Sequence, residues 1–566
     1  MKKETLTLSL FLFINVLQAQ NPLVKQWDNR FGGDTAEWLT SLHQTIDGGY
    51  ILGGYSESGI SGDKTQANRD TVCFNGCTND YWIVKTDSLG NKEWDKRFGG
   101  NYEDELYSIQ QTVDGGYILG GWSNSDSSGD KTQPSWGAFG SMDYWIVKID
   151  SLGNKLWDKR FGGTGYEEFR LLQQTTDGGY ILGGFSNSGI GGDKTQPNWD
   201  TTLNSTFDYW IVKIDSLGNK KWDKRFGGTS DDLFSSLEQT TDKGYILGGW
   251  STSGINGDKT QPNWDTSMIF PTYDYWIVKT DSLGNKEWDK RFGGTDADWL
   301  KSLQQTADGG YILGGWSYSG LNGDKTHVNW GGNSDIDFWI IKTDSAGNKQ
   351  WDKNFGGTNV EFEFGNIIQT PDSGYLFSGQ SSSPISGDKT ENNLGSLADT
   401  WVVKINSAGN KIWDKTVFTT DGDQYGFAIP VYKGCYAIAN YTNSGIGGYK
   451  TQPNWDSTHI TNDYWIVKFC DTTLTGINHN LNLNSDISIF PNPFNTEISI
   501  TFQKQNLKQA TFTIKNILGQ ILFFKSENNL NSSYTKALGL SFLAKGIYLL
   551  EVNIHGERTV KKIVRD

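Results

Sequence analysis

The amino-acid sequence predicts an all-β fold: a seven-bladed β-propeller of four-stranded antiparallel blades, followed by a small β-sandwich. Three observations predict it. A Trp-Asp pair recurs at Trp27, Trp94, Trp157, Trp222, Trp288, Trp351 and Trp413, at intervals of 62 to 67 residues. Periodicity on this scale belongs to solenoids, propellers or tandem arrays. Each interval holds four strand-like words. The chain also opens on "QWDNRFGG" (Gln26–Gly33), the word that closes every other unit.

Composition supports short strands and turns. The 566 residues include 69 Gly and 11 Pro, and 14% are aromatic, a mix that favours strands over helices. The net charge of -15 argues against nucleic-acid binding, which needs clustered Lys and Arg against phosphate.

Taken in order, the chain begins "MKKETLTLSLFLFINVLQAQ". Lys2 and Lys3, an apolar run and Leu17-Gln18-Ala19 have the layout of a secretory signal peptide over residues 1–19, cleaved after Ala19. The apolar run is short for a bilayer core of about 30 Å, and no other segment is apolar enough to cross one. The mature chain is therefore expected to carry no transmembrane segment.

The repeating words are "SLQQT" (Ser302–Thr306), "YILGGWS" (Tyr311–Ser317), "DYWIVKID" (Asp143–Asp150) and "KEWDKRF" (Lys286–Phe292). "DGG" joins the first to the second and "SLGN" the third to the fourth. Gly and Asn accept positive φ, so both connectors read as tight hairpin turns. A connector of about twenty residues, as in "SGINGDKTQPNWD", joins the second word to the third. The middle words are apolar on both faces, as expected of a sheet packed between two others. The last unit stops at its third word, "DYWIVKFC" (Asp463–Cys470), so the N-terminal word supplies the missing strand. Such a clasp closes a ring and removes open sheet edges. The propeller is placed at residues 21–470.

Export permits disulfides among the four cysteines, which allow three pairings. Cys73 and Cys77 share one loop. Cys435 starts the second strand of the last blade and Cys470 ends its third, so an antiparallel pair would make them neighbours. A zinc site lacks nearby His.

Residues 471–486 read as a polar linker, and residues 487–566 as a small sandwich in which the Trp repeat stops. Here "FPNPF" (with Pro491, Asn492 and Pro493), "IKNILGQIL" (with Gly519), "LAKGIYLLEV" (with Gly546 and Tyr548) and the terminal "KKIVRD" resemble the type A C-terminal sorting domain of the type IX (Por) secretion system. Asn516 stands where family members often carry Asp. The resemblance implies passage through both membranes of a Bacteroidota-type cell, with the secretion machinery as partner and a secreted or surface-held product. The propeller words are similar to repeats common in exported proteins of such bacteria, a likeness that implies no single activity.

Long loops and "FGGT" connectors emerge at one end of the ring, the natural binding face. A carboxylate stands four residues after "GG" in nearly every blade: Glu37, Asp104, Glu167, Asp232, Asp298 and Glu361, with Asp423 near the degenerate seventh. A ring of them could hold Ca²⁺. Alternatively each accepts backbone N–H groups and fixes blade to blade, which repetition favours. "GDKT" places Asp63, Asp130, Asp193, Asp258, Asp324 and Asp388, with Tyr449 in the seventh copy, and suits an Asp turn better than an ion loop. Trp136, Trp199, Trp264, Trp330 and Trp455 end the same loop. They suit either sugar stacking or loop anchoring.

No nucleophile elbow, metalloprotease motif or phosphate loop appears, and the five His fall at no common repeat position. The expected function is a non-catalytic binding scaffold for polysaccharide or a surface protein. A propeller polysaccharide hydrolase or lyase, or a purely structural surface component, are the alternatives.

Overall fold

The computed structural model describes residues 23–70, 78–137, 140–200, 206–265, 272–332, 335–394, 397–431, 434–458, 460–471, 488–503, 509–516, 521–528, 533–554 and 557–565. The segment read as a signal peptide, Cys73, Cys77, Gly519 and all but the first residue of the segment read as a linker lie outside them. The chain divides into two compact units, residues 1–474 and 475–566.

Seven four-stranded antiparallel sheets build the first unit. Blade 1 comprises Glu37–Gln44, Tyr50–Ser56, Asp80–Thr86 and Lys92–Phe98, and blades 2 to 6 begin at Asp104, Glu167, Asp232, Asp298 and Glu361. Blade 7 takes Asp423–Val431, Cys435–Thr442 and Asp463–Asp471 from the end of the unit, and Leu23–Phe31 from its start. That N-terminal strand pairs Val24 with Cys470, Trp27 with Lys468 and Phe31 with Tyr464. The first strands of successive blades pack against one another round the axis, blade 7 against blade 1 included. The unit is a seven-bladed β-propeller.

The repeated residues explain the geometry. The second and third strands are buried on both faces, with one Trp of each third strand (Trp82 to Trp465) fully enclosed. Each such indole donates to the Asp of the Trp-Asp pair on the fourth strand, as Trp82 Nε1 does to Asp95 at 3.1 Å. The same Asp accepts the Thr65 N–H and hydroxyl from the long loop at 2.9 Å. In blade 7 that Asp is Asp28, which receives Trp465 Nε1 at 3.0 Å and Thr451 at 2.9 and 2.8 Å. Between blades, Tyr81 Oη donates to Trp145 O and Tyr464 Oη to Trp82 O, so the contact carries through the closure. Cys435 and Cys470 are joined by a disulfide, tying the two middle strands of blade 7.

Each first strand is broken by a β-bulge, such as that between Phe169 and Leu171, which turns the bulged residue toward the axis. In blades 6 and 7 the break is wider, and Glu363 (φ 47°) and Tyr425 (φ 48°) occupy the left-handed region.

The second unit packs two sheets. One orders Ser488–Phe490, Glu497–Gln503 and Ser533–Gly539; the other orders Ile521–Asn528, Gln509–Lys515, Gly546–Ile554 and Glu557–Arg565. Phe494, Ile498, Phe512, Leu538, Leu550 and Ile563 fill the space between them. Asn492 binds the last strand twice, donating to Lys562 O at 2.9 Å and accepting from Val564 N at 2.8 Å. Tyr548 Oη donates to Ala544 O. Pro491 and Pro493 both follow cis peptide bonds.

Candidate functional site

The rim tryptophans are clasps between blades. Trp136, Trp199, Trp264, Trp330 and Trp455 are 43 to 54% exposed. Each indole N–H donates, at 2.8 to 3.0 Å, to the "GDKT" aspartate of the next blade: Asp193, Asp258, Asp324, Asp388 and Asp63 in turn. Arginines from the fourth strands cover four of the rings, as Arg291 covers Trp264 at 4.7 Å. Gly62 shows how closely the next loop approaches. Its φ is +55°, and a Cβ there would fall 2.6 Å from Trp455 Cδ1. Blade 1 has Arg69 in the Trp position, and it bonds Asp130 at 2.9 Å. Blade 6 has Leu394 in the Trp position, and the blade after it has Tyr449 in the Asp position. Where the acceptor is lost, the donor is lost too. This pairing accounts for the recurrence of the tryptophans without a ligand. Trp264→Ala is expected to lower stability by about 2 kcal/mol in denaturant unfolding, through lost cation–π contact and an under-bonded Asp324.

The carboxylate column forms a buried belt. Glu37, Asp104, Glu167, Asp232, Asp298 and Glu361 are wholly enclosed, and none lines the axial channel. Glu37 accepts Gly33 N–H at 2.9 Å, Ser56 Oγ–H at 2.8 Å and Ser58 Oγ–H at 2.5 Å. Its counterparts accept the equivalent Gly N–H and at least one Ser hydroxyl, and Asp104, Asp232 and Asp298 do so through Oδ2 alone, leaving Oδ1 without a partner. Across each interface stands the first Asp of the neighbouring third strand. Asp463 faces Glu37, Asp80 faces Asp104, and Asp208 faces Asp232. A buried "GDKT" lysine lies between successive pairs, as Lys64 does between Glu37 and Asp80. Acid, acid and lysine thus alternate round the ring.

Burial first, then the facing carboxyl, pushes Glu37 and Asp208 up to about 8. Ca²⁺ wants six to eight oxygen ligands. Here each carboxylate accepts backbone N–H and serine hydroxyl donors on at least one oxygen, and the nearest further group is an ammonium. Among the described residues no group of three or more His, Cys, Asp and Glu is arranged to hold a metal. The column therefore does not fit the cation that its spacing suggested.

The axial channel has a different character. It encloses a cavity of about 490 Å³, within the range of small-molecule sites. Residues at the first-strand bulge line it in six blades, joined by Trp38, Tyr55, Trp250 and Tyr441, and at these repeat positions the blades differ. The second residue of the first strand is Trp38, Glu105, Glu168, Leu233, Trp299, Phe362 and Gln424 in turn. The bulged residue is Thr40, Tyr107, Arg170, Ser235 and Lys301 in blades 1 to 5, and blades 6 and 7 place Glu363 and Tyr425 at their wider bulges. The sixth residue of the second strand is Tyr55, Trp122, Phe185, Trp250, Trp316 and Gln380 in blades 1 to 6, and Tyr441 takes that place in blade 7.

These side chains interlock. Trp38 stacks on Tyr55 at 5.1 Å. Arg170 pairs with Glu168 at 2.5 Å and lies over Tyr107 at 5.2 Å, and Tyr107 Oη donates to Glu105 at 3.0 Å. Lys301 Nζ sits over both Trp250 and Trp316 at 4.9 Å, with no carboxylate in salt-bridge range among the described residues. Burial and then Arg170 push Lys301 down to about 8, while burial and neighbouring carboxylates push Glu105 up to about 7. Shifts of this kind gather where a site handles ligand. Sequence reasoning passed over these residues. The signal was present as variation from blade to blade at the bulge, inside strands whose neighbouring positions repeat.

The fold and its tail define a class of protein: an exported propeller that carries a sorting domain for type IX secretion. Residues 488–566 match the secretion system C-terminal sorting domain family. That domain engages the type IX machinery and marks proteins delivered to the cell surface or the medium. No helix among the described residues is long and apolar enough to cross a membrane.

The chain is also 27% identical over 132 residues to the regulatory protein FlaEY of Caulobacter vibrioides. The match covers 23% of this chain and 14% of that protein, so this chain spans a small part of the relative's length. Among solved structures, the Neurospora crassa Pan2 WD40 domain is 9% identical, with a TM-score of 0.39 over 78% of this chain and 95% of that one. YCF48 bound to D1 peptide is 10% identical, with a TM-score of 0.36 over 80% and 96%.

Proposed function

We propose that the protein is a non-catalytic binding scaffold for polysaccharide outside the cell, and that its site is the axial channel. One observation carries this reading: the bulged residue that lines the channel changes from blade to blade, as Thr40, Tyr107, Arg170, Ser235 and Lys301. A ring of identical wall residues offers seven equal contacts to a ligand that lacks that symmetry. A specific site therefore requires the blades to differ where they meet the ligand. The wall residues suit a sugar. Indole and phenol faces of Trp38, Tyr55, Trp250, Tyr425 and Tyr441 match the C–H faces of pyranose rings, and charged groups of both signs stand among them.

The test is affinity electrophoresis of the intact secreted protein on a panel of polysaccharides. A polysaccharide that retards it is expected to retard Trp38→Ala at least tenfold less, with the melting temperature of the variant held within a few degrees. Equal retardation of both would place the binding elsewhere. Release of reducing sugar on the same panel would shift the reading to a hydrolase or lyase.

A further inference from the structure

Two polar groups beside the channel are short of partners. Glu363 Oε2 is buried with no hydrogen-bond partner. Lys301 Nζ meets two indole faces and no acid in salt-bridge range among the described residues. The two side chains interact electrostatically. A buried unmade hydrogen bond costs roughly 1–3 kcal/mol, so a ligand that bonds the Glu363 carboxyl recovers that cost.

Backbone strain points to the same place. Among the described residues, four non-glycine residues have positive φ. Two of them, Lys243 and Ser373, sit in hairpin turns where the other blades have Gly. The other two, Glu363 and Tyr425, are the wide-bulge residues of blades 6 and 7. Such conformations cost about 1–3 kcal/mol each and persist where function holds them.

Charge selects the ligand class. Arg170 and Lys301 stand among Glu105, Glu168 and Glu363, so neither an anion nor a cation gains a clear field. Hydroxyl groups donate and accept, and vicinal hydroxyls can serve an ammonium and a carboxylate together. Topology selects how it enters. Seven strands close the wall on every side, so the interior of a long polymer cannot lie across these residues. Only an end or a short branch can enter along the axis.

We propose that the channel is a socket for the end of a neutral sugar chain, whose terminal rings stack on Trp38 and Trp250 and whose hydroxyls bridge Lys301 Nζ and Glu363 Oε2. This rests on the channel reading above and adds to it the chain end and the absence of charge.

The experiment uses calorimetric titration of the full secreted chain. The probes are neutral polysaccharides, their fragments of two to six residues, and acidic fragments of the same lengths (oligogalacturonates and sulfated oligosaccharides). The expected result is one fragment per protein, affinity that stops rising after the first few rings, and displacement of the parent polymer by its own fragments. Lys301→Met and Glu363→Gln are each expected to weaken fragment binding at least tenfold. Glu363→Gln keeps the shape of the side chain, so its loss of binding is read against an unchanged melting curve. Polymer binding that fragments cannot displace, or tighter binding of either acidic set, overturns the socket and leaves the channel reading to its own test. No binding by the wild-type protein to any probe overturns both.

Discussion

Removal of residues 23–31 is expected to leave a chain that secretes poorly, exposes its seventh blade to protease and self-associates. The reason lies in where the ring is joined. In blades 1 to 6 the fourth strand is tied to the third by a short covalent turn. In blade 7 the fourth strand comes from the far end of the propeller and is held by pairing alone. Without it the strand Asp463–Asp471 becomes an open edge, and open edges recruit other chains.

A single substitution probes the same point. Asp28 is nearly fully buried and binds Trp465, Thr451 and Lys25, at 2.6 Å for the last. Burial alone would push its carboxyl up, but Lys25, Thr451 and Trp465 more than offset this and hold it below the usual range. Asp28→Ala leaves those donors unpaired and is expected to cost about 3 kcal/mol. Asp223 makes the same bonds within the continuous blade 3. Its replacement should cost a similar amount in global unfolding without the local protease sensitivity. Limited proteolysis beside denaturant melts separates the two. If the 23–31 deletion proves monomeric and melts cooperatively, or Asp28→Ala is cleaved no faster than Asp223→Ala, closure does not depend on this strand.

The architecture was legible in the sequence because it is periodic. The word order, its phase shift and the position of Cys470 beside Cys435 follow from counting, and the strands of blade 7 obey that count. The roles of repeated polar residues were less legible. For Glu37 and its counterparts repetition favours the spacer over the ligand, but spacing does not show which way a carboxylate turns. The serines at 56 and 58 and the lysine at 64 decide it, and they are brought in from the long loop. The rim tryptophans were ambiguous for a similar reason. The partner of each lies in the next blade, some sixty residues on for four of them and at the far end of the ring for Trp455, and only the joint exception at Leu394 and Tyr449 reveals it within the sequence. The channel was hidden for the opposite reason. Attention to what repeats passes over positions that differ, and Lys301 or Glu363 looks like an accident until seven strands bring the accidents to one axis.

Stability is expected to fall steeply between pH 5 and pH 8 and to be lowest near pH 8. The buried belt is the cause. Burial and the facing carboxyl raise Asp143, Asp208 and Asp274 to about 8 and Asp80 to about 7, and burial alone raises Asp399 to about 7. An unfolded chain sheds these protons near pH 4. Between the two values the folded chain holds more protons than the unfolded one, so raising the pH through that window removes stability. Each proton lost there is worth about 1.4 kcal/mol per pH unit, and the belt repeats the pair round the ring. Lysines 64, 131, 194 and 259, pushed down to about 8 by burial, act with the opposite sign. Above pH 8 the unfolded chain binds the more protons at these groups, so their contribution recovers as the pH rises further.

Asp208→Asn isolates one pair. Asp208 is faced by Asp232, Arg225, Lys194 and the Trp199 N–H. An amide keeps an acceptor for that N–H and carries no charge toward Asp232. The variant should match the wild type at pH 5 and exceed it at pH 8, with a shallower slope between. Thermal melts from pH 4.5 to 9.5 at constant ionic strength measure both curves. A flat wild-type profile, or an Asp208→Asn variant that loses most stability at pH 8, would show that the paired carboxyls do not share a proton.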